Sequence, residues 1–257
     1  MQITPYADIN ALIEILLSSI QRILGAKLVA FYLAGSLIIG DFDPNISDID
    51  LVAALSSQID DREFDALQEM HSAFAAQYKE WDNRIEVCYI SVVALNTVRS
   101  RTSQIANISP GEPFHMRESS REWLSDWYLV RERGVTLFGP SPEEIIEPIS
   151  KEEFIQTIKA HARAWGEWIN DMHTQGGQAY AILTMCRALY TCTNGEQVSK
   201  KQAALWAQKA LPEWSQLIEN ALLWRENQRN EQVDHTATFA ETKRFVDFVR
   251  DMILTKS

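Results

Sequence analysis

The sequence predicts an α/β domain, residues 1–150, followed by an all-α helical bundle domain, residues 151–257. Three observations carry this expectation. Runs rich in β-branched and aromatic residues, such as Leu28–Leu33 and Ile85–Val93, occur in the first part of the chain with helical patterns between them. After residue 150 the apolar residues recur only at helical spacing. Between the two lie three prolines, Pro140, Pro142 and Pro148, which mark a linker. The alternation of strand and helix predicts a mixed sheet with flanking helices for the first domain.

The elements follow in order. Ile9, Leu12, Ile13, Leu16, Ile20 and Leu24 give a first amphipathic helix, with Asp8 as its expected N-cap. Gly25 leads into a buried strand, Leu28–Leu33, and Gly35-Ser36 turns the chain into a loop carrying Gly40, Pro44 and Asn45. A strand over Asp48–Ala54 and a helix from Ser57 to about Tyr78 come next, then a strand over Arg84–Val93. Residues 97–120, with Pro110, Gly111, Pro113 and many polar side chains, read as loop. A helix over Ser119–Arg133 and a short strand, Val135–Phe138, complete the domain. In the bundle, a stripe from Phe154 to Met172 ends at Gly176-Gly177, and Tyr180–Thr193 stops at Asn194-Gly195. Ser199 and Gln202 predict a capping box for a helix to Ala210, Glu213–Asn227 follows, and Thr238 with Glu241 should cap the last helix.

Composition narrows the function. With 46% apolar residues and 10% aromatics, the 257 residues suffice to bury a core in each domain. A net charge of −11 argues against a nucleic-acid partner and suits a cationic small molecule. Cys88, Cys186 and Cys192 give neither a disulfide framework nor a C-x-x-C pattern, and the five histidines, His235 among them, show no zinc-like spacing. The N-terminus lacks a basic leader, and no apolar run approaches the ~18 residues of a membrane span. A cytoplasmic protein acting as a monomer, with no membrane partner, is expected.

The chemistry concentrates between Ala34 and Val52. In a strand, residues two apart share a face, so Asp48 and Asp50 point one way while Ile49 and Leu51 point to the core. Adjacent carboxylates repel unless a cation lies between them, and a divalent metal is the usual one. Gly35-Ser36 offers backbone N–H groups and a hydroxyl where glycine permits close approach, a suitable cradle for phosphate. A tight turn before a solvated strand edge is the simpler reading of Asp-x-Asp alone; the full spacing favours a site for a metal-bound nucleoside triphosphate. Glu86 stands within an apolar strand run. It is either exposed on an edge strand or a carboxylate that needs a partner.

Gly35-Ser36, Gly40 and Ser47-Asp48-Ile49-Asp50-Leu51 resemble the signature of the DNA polymerase β-type nucleotidyltransferase superfamily. The resemblance implies that Asp48 and Asp50 hold Mg²⁺ and that Gly35, Ser36 and Ser47 hold the triphosphate of ATP. Glu86 takes the place of a third acidic residue, the general base in the antibiotic-modifying branch. Cys186–Tyr190, Thr193–Glu196, Ser199-Lys200 and Ala203–Ala207, with Glu122–Leu124 and Leu137–Pro140, resemble the aminoglycoside (3″)(9) adenylyltransferases over nearly the whole chain. That likeness makes Arg187 and Lys200 triphosphate contacts, places Trp224 where the family has a tyrosine near the nucleotide, and makes Trp123 and Trp168 walls of an antibiotic site. Glu112 is a further candidate for the antibiotic's positive charges. His173 stands where the family uses an aspartate for streptomycin, Gly177 replaces another acidic residue, and Leu95–Val98 replaces a Pro-Trp segment. The expected activity is AMP transfer from Mg-ATP to an aminocyclitol or aminoglycoside hydroxyl, with spectinomycin favoured over streptomycin. The rival readings are a nucleotidyltransferase acting on a protein and a non-catalytic nucleotide or drug sensor.

Overall fold

The computed structural model describes residues 3–226 and 236–255. The chain divides into two compact units, Met1–Phe42 with Ser47–Ile149, and Asp43–Ile46 with Ser150–Ser257.

The first unit is built on six strands: β1 Leu28–Leu33, β2 Ile49–Leu55, β3 Ile85–Ser91, β4 Ser103–Ser109, β5 Glu112–Ser119 and β6 Val135–Phe138. Their order is β5-β4-β3-β2-β1-β6. Only β2 and β3 run parallel; the other neighbours are antiparallel, so the sheet is mixed. Two helices, α1 Ala7–Leu24 and α3 Asp61–Gln77, cover one face. There Ile9, Leu16 and Ile20 meet Phe31, Leu33, Leu51 and Val87 in a core. Residues one step along each strand point to the opposite face, where Ala30, Val52, Cys88 and Ile90 pack with α5, Leu124–Arg133, through Leu124 and Trp127. That alternation puts Asp50 and Glu86 on the α5 side.

Several local expectations change. Tyr6, not Asp8, is the N-cap of α1, and Asp8 lies in the first turn, where its charge favours the helix dipole. The segment Ala7–Lys27 is long and apolar enough, by length and composition, to cross a membrane (mean hydropathy 1.4), contrary to the reading that no run reaches that length. In this fold Ile9, Ile13, Leu16 and Ile20 of that segment belong to the sheet-facing core. Ser36–Ile39, expected as loop, makes a single helical turn, α2. Val92–Thr97 is a further short helix, α4, capped by the Ser91 hydroxyl on Ala94 N. Within the linker, Pro142–Ile145 forms one turn, α6, under a Ser141–Glu144 capping box.

The largest correction is at 97–120, where the loop is instead the β4–β5 hairpin. Pro110-Gly111 is its turn, with Gly111 at φ 84°. Polar residues mask the strands because β5 is an edge strand and exposes much of its length. The hairpin also makes β3 an interior strand, which removes the edge reading of Glu86.

The second unit is helical: α7 Lys151–Trp168, α8 Gln175–Asn194, α9 Lys200–Ala210, α10 Ser215–Glu226 and α11 Thr236–Thr255. Its core gathers Ile182, Met185, Cys186 and Leu189 of α8 with Phe245, Val249 and Ile253 of α11. Gly176-Gly177 does not separate helices here. Thr174 caps Gly177 N, and both glycines lie in the first turn of α8. Gly195 closes that helix in the left-handed conformation, as Asn194-Gly195 predicts. At α9 the Ser199 hydroxyl accepts from Gln202 N at 3.0 Å, one half of the expected box. Thr238 is inside α11 and spends its hydroxyl on buried Gln178, which also accepts from Thr242. The expected helix end at Asn227, and His235, lie outside the described residues.

Candidate active site

Parallel pairing of β2 with β3 sets Asp50 beside Glu86, and Asp48 lies two residues before Asp50 on the same side. One carboxylate oxygen from each of the three lies within 4.8 Å of the others. At the end of β1, Ala34 N donates to Asp50 O at 2.9 Å and brings the Gly35-Ser36 turn against the same strand. Gly35 has φ 66°, and a Cβ built there would lie 1.7 Å from Asp50 Oδ2. Only glycine fits, because the Asp50 carboxylate occupies the space a side chain would need. Ser36 follows as the first residue of α2. Its hydroxyl oxygen is buried and has no hydrogen-bond partner among the described residues.

Sequence reading passed over Arg84. Its guanidinium is buried, lies 4.3 Å from the Trp81 ring centre, and donates from Nε and Nη2 to Ser47 O at 2.9 and 2.5 Å. The Arg84 carbonyl in turn accepts from Ile49 N at 2.9 Å. Arg84 thus grips the backbone on both sides of Asp48. A lone arginine at the mouth of an apolar strand was the available signal, since such a cation is costly to bury unless it holds something.

Glu86 is raised to about 8, first by burial, then by the charges of Asp50, Asp48, Asp126 and Glu112 in decreasing order. Without a cation, the cluster favours keeping a proton on Glu86. Three converging hard-oxygen donors fit a Mg²⁺-sized ion, which would relieve the same repulsion. Asp126, in the first turn of α5, is a second residue the sequence reading missed, having no motif around it.

Glu112 begins β5 and is exposed rather than placed in a loop. Arg117 and His115 approach it at 3.6 and 3.5 Å. Trp123 stacks on Trp127 with ring centres 5.4 Å apart, and the Arg117 guanidinium lies 5.1 Å from the Trp123 ring. Arg117 therefore ties Glu112 and Trp123 into one group.

The remaining candidates belong to the second unit. Arg187 lies on α8, partly buried. Lys200 opens α9, with Nζ 4.2 Å from the Tyr180 ring centre. Trp224 packs against the bundle core from α10. Trp168, 46% exposed, meets Trp165 edge-on at 5.8 Å. His173 is exposed and lies tilted against Phe239, ring centres 4.7 Å apart.

Residues 144–252 match the family described as aminoglycoside adenylyltransferase, C-terminal domain. The chain is 24% identical to an Escherichia coli aminoglycoside (3″)(9) adenylyltransferase over 96% of its own length and 95% of that protein. It is 25% identical to a Staphylococcus aureus spectinomycin 9-adenylyltransferase, covering 93% of each. The fold matches that of the spectinomycin adenyltransferase AAD(9) from Enterococcus faecialis, solved with ATP and spectinomycin. The TM-score is 0.76 and the identity 16%, over 96% of this chain and 99% of that one. The chain is thus similar to aminoglycoside (3″)(9) adenylyltransferases in its C-terminal domain and along nearly its full length, and it shares the fold of AAD(9).

Proposed function

We propose that this protein transfers AMP from Mg-ATP to a hydroxyl of an aminocyclitol or aminoglycoside antibiotic and releases pyrophosphate. The observation that carries the reading is the convergence of Asp48, Asp50 and Glu86 within 4.8 Å beside a turn that admits only glycine. Asp48 and Asp50 would hold Mg²⁺, which when bound neutralises charge on the phosphates. Gly35 and Ser36 present backbone N–H groups and an uncommitted hydroxyl to the triphosphate, and Ser47 joins them; Arg187, Lys200 and Trp224 are assigned to the nucleotide by the family resemblance alone. Glu86 accepts the proton of the attacking hydroxyl. A carboxylate whose pKa lies near the working pH is suited to that task, and general-base help contributes roughly 10²–10⁴-fold.

Glu112 and Trp123 in the first unit, and Trp168 and His173 in the second, are the acceptor candidates of this reading. Ammonium groups of the drug pair with carboxylates, and its ring faces lie on tryptophan. Spectinomycin is the better acceptor because His173 on Phe239 offers an aromatic pair where streptomycin recognition wants a negative charge. The test is incubation with ATP, Mg²⁺ and each drug, followed by mass spectrometry. Expected is an AMP adduct, more on spectinomycin than on streptomycin; efficient streptomycin transfer would overturn the selectivity. His173→Asp should narrow the difference.

A further inference from the structure

The opposite face of the sheet carries an open cleft that shares only Glu112 with the acceptor contacts above. It has a volume of about 670 Å³ and lies between α3, the turn before β3 and the β4–β5 hairpin. Ligand sites commonly have volumes of about 300–1,000 Å³. Its walls include Phe74, Trp81, Ile85, Ile108 and Phe114, and Ile85 belongs to the strand positions that point away from Glu86. Asp65, Glu69, Asp82 and Glu112 also line it, and among the described residues no lysine or arginine does, while Arg117 and His115 stand beside Glu112. Asn83, at φ 58°, fixes the rim by accepting from Gly111 N at 2.5 Å.

A buried polar group also reaches this space. His71 lines the cavity, is 4% exposed, and sets Nε2 2.8 Å from the Tyr89 hydroxyl. Its other ring nitrogen, Nδ1, has no hydrogen-bond partner among the described residues. Burial lowers the His71 pKa to about 4, so the ring stays neutral near pH 7.

We propose that this cavity binds small aromatic ammonium compounds, the ring against Phe114 and Trp81, the ammonium toward Glu69 and Asp82, and a polar atom on His71 Nδ1. The Glu69 and Asp82 carboxylates select the charge, and the aromatic walls select the body.

The test titrates 1-naphthylmethylammonium into the full-length protein and follows tryptophan fluorescence, with Trp81 in the wall as a reporter. Saturable binding is expected, with 1-naphthylmethanol at least about 10-fold weaker, the difference a charge-assisted hydrogen bond produces. Glu69→Gln with Asp82→Asn should weaken the amine by a similar factor, and Ser72→Trp, an exposed position on the lining, should abolish it. Should Ser72→Trp fail to fold, Ala75→Phe fills the same space. No saturable binding, or undiminished binding to both filled variants, overturns the proposal. So does equal affinity for the alcohol. Loss of binding in Asp48→Asn but not in the cavity variants would place the probe at the carboxylate triad, and also overturn it.

Discussion

Replacing Gly35 by alanine tests the geometry at its tightest point. The added Cβ would lie 1.7 Å from Asp50 Oδ2, 2.3 Å from its Cγ and 2.8 Å from its Cβ, against an ordinary contact of 3.4 Å or more. The carboxylate must therefore retreat by well over 1 Å, or the turn must open. Misplacement of about 1 Å in a catalytic constellation can cost roughly 10²-fold. At φ 66° and ψ −149° the backbone is in a region that residues with a Cβ rarely enter, which adds about 1–3 kcal/mol. Gly40→Ala controls for a positive-φ substitution without a clash, because Gly40 is left-handed at φ 74° and has nothing within 4 Å of its added Cβ. Both variants should melt earlier than wild type. Only Gly35→Ala should lose about 100-fold or more in pyrophosphate release with ATP, Mg²⁺ and spectinomycin. Equal kinetic losses in the two, or near-normal rates in Gly35→Ala, would refute the claim that this turn shapes the Asp50 carboxylate.

Further outcomes follow from the same geometry. Glu86→Gln should slow transfer by about 10²-fold or more while ATP affinity, measured by calorimetry with Mg²⁺, stays close to wild type. A collapse of affinity would make Glu86 chiefly a metal ligand. Arg84→Met keeps the aliphatic stem but removes the donors to Ser47 O, so it should cost about 1.5–3 kcal/mol in urea unfolding and weaken Mg-ATP binding. A variant that loses stability but binds Mg-ATP normally would confine Arg84 to folding. His71 has a depressed pKa, so the unfolded chain binds more protons than the folded one between about pH 4 and 6.5. Its contribution is present above pH 6.5 and is lost as pH falls toward 4. His71→Gln should flatten that part of the melting-temperature profile, and an unchanged slope would assign acid sensitivity to other groups.

Much of this architecture is legible in the sequence because its signals are local. Leu28–Leu33 is an uninterrupted apolar run and forms a strand with those bounds. Asp48 and Asp50 share a face because the strand period is two, and Ile49 and Leu51 confirm the register by lying in the core. What was missed depends on partners distant in sequence. The β4–β5 hairpin pairs polar residues at the sheet edge, and pairing of Ala106–Ile108 with β3 joins it to the sheet. Arg84 reads as an ordinary strand-end cation until Ser47 lies against it. Asp126 acquires meaning only when α5 brings its charge toward Glu86. Thr238 looks like a helix cap, and its bond to Gln178 spans sixty residues.

The most direct measurement of the central claim is single-turnover transfer of AMP from ATP to spectinomycin by wild type, Asp48→Asn and Asp50→Asn. Each is read with Mg²⁺ and again after chelation. Adduct formation by wild type with Mg²⁺, its loss on chelation, and its abolition in both variants are the predicted results, since each change removes charge from a hard-oxygen donor. Substantial transfer by either variant, or by chelated wild type, would contradict the assignment of the Asp48–Asp50–Glu86 cluster as the catalytic centre.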